Sequence, residues 1–307
     1  MCEFKIKFRG VRGSYPVARE NFLGYGGNTS CVEVQIGDRL IILDAGTGLI
    51  SLGDELMQGY INSGTTITDR KPVIASILLS HIHQDHIMGI PFFTPLHVSS
   101  TKLSMFGNPS QGENLEEELS QVLFNKTFPV DASDIAADVV CYDINETGYI
   151  IIKKDSSVVV TNVCDFYKTK YSDDDIIISC YKSFAHPQNG VMVYRIEYKG
   201  KSLVYASDKE SYVGGDVKLA KFARNCDCLI HDSQYTTEDY QSLYSSKQGF
   251  GHSTFKMACD IKAQANAKKL VFYHYDPSYD DNKLAQIAEE FQNDSLIFAK
   301  EGLEIVL

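Results

Sequence analysis

The run Val73-Ile74-Ala75-Ser76-Ile77-Leu78-Leu79 leads straight into Ser80-His81-Ile82-His83-Gln84-Asp85-His86. An apolar stretch this short and rich in branched side chains, preceded by Pro72, reads as a buried strand. The histidines then emerge at its C-terminal end, where open α/β sheets bind their ligands. Three histidines and an aspartate fall within six positions, and packing does not explain them, because buried imidazole and carboxylate are costly without partners. A metal ion is such a partner. His81 and His83 can converge on one ion across a single intervening residue, and Asp85 and His86, one turn on, can face a second.

Further short motifs punctuate the chain: Gly10-Val11-Arg12-Gly13-Ser14, Gly26-Gly27-Asn28-Thr29-Ser30-Cys31, Leu43-Asp44-Ala45-Gly46-Thr47-Gly48, Ser207-Asp208, Gly251-His252-Ser253-Thr254 and Tyr273-His274. Together with H-x-H-x-D-H they resemble the metallo-β-lactamase superfamily of binuclear metallohydrolases, in its phosphodiesterase branch. That branch contains the tRNA 3′-processing endonuclease RNase Z and small cyclic-nucleotide phosphodiesterases. The resemblance implies an α/β fold of the αββα type, a four-layer sandwich of two mixed sheets flanked by helices. It spans residues 1–307 as a single domain, with a variable insertion around 139–181.

The same resemblance implies a ligand set. His81, His83 and His186 would hold one divalent ion, Asp85, His86 and His274 a second, and Asp208 would bridge them beside a water-derived hydroxide. Zinc is the first expectation for the metals, with manganese or iron as alternatives, since imidazole and carboxylate serve all three. Asp85 and His252 are the expected catalytic residues, His252 contacting the phosphate or protonating the leaving oxygen. Arg12, Ser14, Asn28 and Thr29 are the expected substrate-binding residues; the planar fork of Arg12 suits two phosphate oxygens. Asp44 reads as a turn residue holding backbone beneath the metal loop, while His231 and His97 stand outside the ligand set.

Composition narrows the substrate. A formal charge of -11 over 307 residues argues against a broad cationic face, and hence against a large nucleic acid partner. The leading expectation is a metal-dependent phosphodiesterase acting on a cyclic nucleotide or other small nucleotide. The alternative is RNase Z-like tRNA processing, and a thioester or lactone hydrolase of the same superfamily stands behind it. The amino terminus, Met1 to Phe8, alternates charged and apolar residues and shows no secretory pattern, and no apolar run spans a bilayer. A cytoplasmic protein with no membrane partner is therefore expected, its eight cysteines reduced and its Cys226-Asp227-Cys228 pair part of a strand rather than a zinc site.

Hairpins are expected at Cys31–Ile36 with Leu40–Leu43 through Gly37-Asp38, and at Val191–Tyr198 with Leu203–Ala206 through Lys199-Gly200. Gln111 to Asn125 and Thr254 to Lys268 read as helices, the second capped by Ser253 or Thr254. Residues 139–181 offer an edge hairpin, a substrate lid or a homodimer surface, and the sequence does not choose among them.

Overall fold

The computed structural model describes residues 3–110, 112–124, 128–212, 214–291 and 293–307. Its strands, in chain order, are β1 (Phe4–Gly10), β2 (Cys31–Ile36), β3 (Arg39–Leu43), β4 (Ile74–Leu78), β5 (Lys102–Gly107), β6 (Asp138–Asp143), β7 (Thr147–Ile152), β8 (Val158–Thr161), β9 (Ile176–Ser183), β10 (Val191–Tyr198), β11 (Lys201–Ala206), β12 (Cys228–Asp232), β13 (Lys269–Tyr273), β14 (Leu296–Phe298) and β15 (Glu304–Val306). They form two sheets, of order β15-β1-β2-β3-β4-β5-β6 and β14-β13-β12-β11-β10-β9-β7-β8. Both are mixed: β3 to β6 run parallel in the first and β11 to β14 in the second, with antiparallel pairs outside them. Helices lie on the outer faces, giving the expected αββα sandwich.

The patterning accounts for these layers. Ile6, Phe8, Val32, Val34, Leu43, Leu78 and Phe106 of the first sheet meet Ile178, Val193, Leu203, Tyr205, Ile230 and Tyr273 of the second in one buried cluster. On the outer side of the first sheet, Leu49 and Leu52 of the helix Gly48–Asn62 and Leu115 and Leu119 of the helix Leu115–Leu123 pack on Ile42, Ala75, Ile77 and Leu103. A central strand such as β4 is apolar on both faces because both are covered. Its register, Leu43↔Leu78 and Leu78↔Phe106, brings the ends of β3, β4 and β5 level.

The local expectations hold with adjusted ends. Tyr198↔Lys201 closes the β10–β11 hairpin through Lys199 and Gly200, both at positive φ, the backbone that a two-residue turn matching strand twist requires. The helix expected over Gln111 to Asn125 occupies Leu115–Leu123 and is capped by the Asn114 side chain on the Glu117 amide; Gln111 and Asn125 lie outside the described residues, as do Met1 and Cys2. The later helix is Phe255–Ala265, capped by Thr254 and stopped by Asn266 in the left-handed region. The seven described cysteines are free, Cys226 and Cys228 being buried about the start of β12. Within 139–181, β6 edges the first sheet and the β7–β8 hairpin edges the second. No helix among the described residues is long and apolar enough to cross a membrane.

Candidate metal centre and active site

Five strand ends and two loops converge on one point. Beyond β4 come Ser80, His81 and His83, and the one-turn helix Gln84–Ile87 carries Asp85 and His86. Asp44 follows β3, Asp208 follows β11, Asp232 ends β12 and His274 follows β13. His186 comes from the β9–β10 connection, and His252 from the segment before the helix Phe255–Ala265. Asp44, Asp208 and His274 all take positive φ, of 57°, 51° and 65°. That backbone costs a non-glycine residue roughly 1 kcal/mol or more, and such strain gathers where a side chain must be re-aimed. Here it turns each chain sharply at a strand end, so that carboxylate and imidazole point across the sheet edge.

The functional atoms form two groups. His81, His83 and His186 make one, Asp85, His86, Asp208 and His274 the other, with the donor atoms of each within 4.8 Å of one another. In the second group His86 Nε2 lies 3.1 Å from Asp208 Oδ1, 3.3 Å from Asp85 Oδ2 and 3.2 Å from His274 Nε2. His274 Nε2 lies 3.0 Å from Asp208 Oδ1 and 3.2 Å from Asp85 Oδ2. Those separations are close to the edge, about 3.3 Å, of a tetrahedron whose corners stand ~2.0–2.1 Å from a central ion. Asp208 joins the groups: its Oδ2 reaches towards His81 at 3.7 Å and His186 at 3.9 Å. Asp232 and His252 form a third cluster with Asp208 and His274, beside the first two.

Hydrogen bonding on the far side of each ring decides what faces inward. His86 Nδ1 sits 2.7 Å from Asp44 Oδ2, which can only accept, so the ring donates there. His274 Nδ1 donates to Gln234 Oε1 and His186 Nδ1 to the Gly251 carbonyl. Their Nε2 lone pairs are therefore left pointing into the cluster, those of His86 and His274 only 3.2 Å apart. Facing lone pairs repel unless a proton or a cation lies between them. His81 Nε2, moreover, is buried with no hydrogen-bond partner. Burial and the neighbouring His86 keep His81 well below the ordinary histidine range, and burial likewise lowers His83 and His186, so this group is neutral and suited to metal. Burial opposes charge on His86 too, yet Asp208, Asp85 and Asp44 outweigh it and hold the ring well above its usual value. The second group thus demands positive charge at its centre. Burial also opposes charge on Asp85 and Asp208, and the histidines outweigh it, leaving both carboxylates ionised well below their usual range. The donor set fits a pair of hard-to-borderline divalent cations, and no cysteine joins either group among the described residues.

The family model described as "Beta-lactamase superfamily domain" matches residues 39–275. The chain belongs to the metallo-β-lactamase superfamily. It is a metal-dependent hydrolase. It is 28% identical to a Ribonuclease Z of Picrophilus torridus, over 98% of this chain and 95% of that one, and 26% identical to a Ribonuclease Z of Thermoplasma acidophilum, over 94% and 92%. Among solved structures, the metallo-β-lactamase fold protein YhfI of Bacillus subtilis superposes with a TM-score of 0.65 at 18% identity, covering 99% of this chain and 100% of that one. The short form of human tRNase Z gives 0.60 at 17% identity, covering 98% of each, and both likenesses speak to the fold.

Within this metallo-β-lactamase site, the seven expected ligands and His252 are gathered together, but the expected substrate-binding residues mostly are not. Arg12 is fully buried: its Nε donates to the Gly26 carbonyl and its Nη1 to that of Tyr279, and the guanidinium lies 4.9 Å from the Phe22 ring centre. It braces the loops beneath the site and has no route to a phosphate. Asn28 gives its backbone and side-chain amides to Glu301, and the buried Thr29 hydroxyl accepts from the Thr47 amide. The polar side chains of these loops are thus engaged within the fold, those of Arg12 and Thr29 by backbone and that of Asn28 by the Glu301 carboxylate. Ser14 alone reaches the site, its amide donating to Asp85 Oδ2 at 2.7 Å. His97 is exposed in a separate turn, and His231 is buried with Nδ1 on the Asp232 carbonyl. Asp44 does hold the metal loop, accepting from the Ser80 amide and hydroxyl and from Tyr205 besides His86.

One functional residue goes unassigned in the sequence reading. Asp232 Oδ2 accepts from His252 Nδ1 at 2.8 Å, while its Oδ1 accepts from the Ser253 and Gln234 amides. Burial disfavours charge on His252, but Asp232 more than offsets this and raises the ring to about 9. His252 also stacks on His274, ring centres 5.1 Å apart at 15°. The available signal was the repeated pattern of an apolar strand ending in aspartate, which Leu43-Asp44 and Cys228–Asp232 share.

Proposed function

We propose that this chain is an endonuclease of the ribonuclease Z kind, hydrolysing a phosphodiester bond at the 3′ side of a tRNA precursor. The observation that carries the reading is His252, held by Asp232 at 2.8 Å beside two clusters, seven His and Asp side chains in all, whose donor atoms lie close enough to hold two ions. The branch is supported by relatives named Ribonuclease Z that match almost end to end. The expectation of a cyclic nucleotide gives way to that alternative, and so does the argument from charge. A net charge of -11 measures the whole surface, whereas a polynucleotide needs compensation only along its path.

His81, His83 and His186 would hold one divalent ion and Asp85, His86 and His274 the other, with Asp208 between them; zinc is the first assignment and manganese or iron the alternatives. Bound there, the ions supply Lewis acidity that makes water nucleophilic near neutral pH and offsets the charge on phosphorus. The chain's own residues do the rest. Asp232 orients His252 and keeps its proton, leaving Nε2–H to give that proton to the departing alkoxide oxygen. Ser14 and Gln234 fix Asp85 and His274 from outside, so neither can swing away during turnover. The test offers the metal-loaded enzyme a 3′-extended tRNA precursor beside 2′,3′- and 3′,5′-cyclic nucleotides. Cleavage of the precursor at the mature 3′ end, with kcat/KM well above that for either cyclic nucleotide, supports the reading; the reverse ranking overturns it.

A further inference from the structure

Next to the metal centre lies a cavity of about 220 Å³, walled on one side by Ser80, His81 and His83 and on the other by Asn108, Lys182 and Asn189. Lys182, on β9, is only 8% exposed, and its ammonium donates to Asn108 Oδ1 at 2.6 Å and Asn189 Oδ1 at 2.8 Å. An ammonium carries three N–H groups, so one remains beyond the two amides, on the side where Lys182 lines the cavity and the Phe184 ring centre stands 5.5 Å from Nζ. Among the described residues no carboxylate lies within 4.0 Å of it; Glu146 and Glu118 act only from further off, and Glu118 is engaged by the Ser110 hydroxyl. Burial pulls Lys182 below the usual lysine range. A buried cation with amide oxygens but no counter-ion is costly to keep, unless an anion completes it.

We propose that Lys182 and its two asparagines form a second anion site, which takes a phosphate neighbouring the scissile one in a polynucleotide. The inference rests on the reading that the centre beside it cuts phosphodiester bonds. It also sharpens that reading. A cyclic mononucleotide has one phosphate, which the metal centre would occupy, leaving Lys182 unpaired. A chain with a phosphate on the next nucleotide fills both sites at once. The amide oxygens hold the ammonium in place, and the remaining N–H makes a charge-assisted bond to the incoming oxygen.

The experiment measures inhibition of bis(p-nitrophenyl) phosphate hydrolysis by the metal-loaded enzyme, using the dinucleotide UpU and its phosphorylated forms pUpU and UpUp. One phosphorylated form is expected to inhibit about tenfold more tightly than UpU, an advantage that shrinks with added salt. Lys182→Met should abolish the advantage and Lys182→Arg keep most of it. KM for bis(p-nitrophenyl) phosphate and metal content should stay within about twofold of wild type, since no second phosphate is involved. Equal inhibition by all three dinucleotides in the wild-type enzyme overturns the proposal, as does a Lys182→Met enzyme whose constants for every compound rise together. Failure to process a tRNA precursor, with the dinucleotide preference intact, would instead count against the endonuclease assignment and leave this site standing.

Discussion

A carboxylate on Nδ1 favours the charged His252 ring, so in the proposed mechanism the bond from Asp232 would make Nε2 the proton donor. His252→Ala should lower kcat on the order of a hundredfold or more with metal content unchanged, as measured by steady-state turnover beside elemental analysis. Asp232→Asn should reproduce most of that loss, since an amide no longer favours the protonated ring. A neighbouring histidine makes a separate, thermodynamic prediction. His231 is buried and held down to about 4, chiefly by burial, so the folded state refuses a proton that the unfolded chain accepts near 6.5. Its stabilising contribution is complete above pH 6.5 and is lost as the pH falls towards 4, by about 3 kcal/mol at that end. His231→Asn should therefore flatten the acid limb of a denaturant-derived stability profile between these values, whatever it does to the plateau.

At the scale of elements, the site is a set of strand ends held by carboxylates. Asp44 binds the Ser80 amide and hydroxyl, Tyr205 and His86 at once, tying β3 to β4 and to β11. Asp44→Ala would leave several buried donors unpaired, at about 1–3 kcal/mol each, and would free the His86 ring. Metal affinity should fall about 10- to 100-fold and Tm with it, as read by chelator competition and calorimetry. Much of this level was legible beforehand. The hairpins followed from Gly37-Asp38 and Lys199-Gly200, the strand before His81 from its branched apolar residues, and the clustering of the candidate ligands from their matched motifs. Arg12, Asn28 and Thr29 were not legible, because whether a loop side chain faces substrate or backbone depends on contacts such as Tyr279 and Glu301, more than 200 positions away. Asp232 was hidden for the same reason, its partner His252 arriving from another element.

The whole molecule brings candidate ligands spread from His81 to His274 to one edge of two face-to-face sheets, so metal binding there would be coupled to folding. Without cations His81 Nε2 is buried with no partner among the described residues and His86 and His274 face each other at 3.2 Å, so removing metal should cost stability by mass action. Tm should fall on treatment with a chelator and recover on adding zinc, the size of the shift growing with free metal. With a net charge of -11, the proposed polynucleotide substrate would be gripped locally, at Lys182 and the metal edge, rather than along a broad basic face.

Elemental analysis of protein purified without added metal, for wild type and for Asp208→Ala, tests the central claim most directly. About two divalent ions per wild-type chain are expected, and at most one in the variant, because Asp208 stands between both donor groups. A folded, active wild-type protein with no bound divalent metal, or an Asp208→Ala protein that keeps both ions, would contradict it.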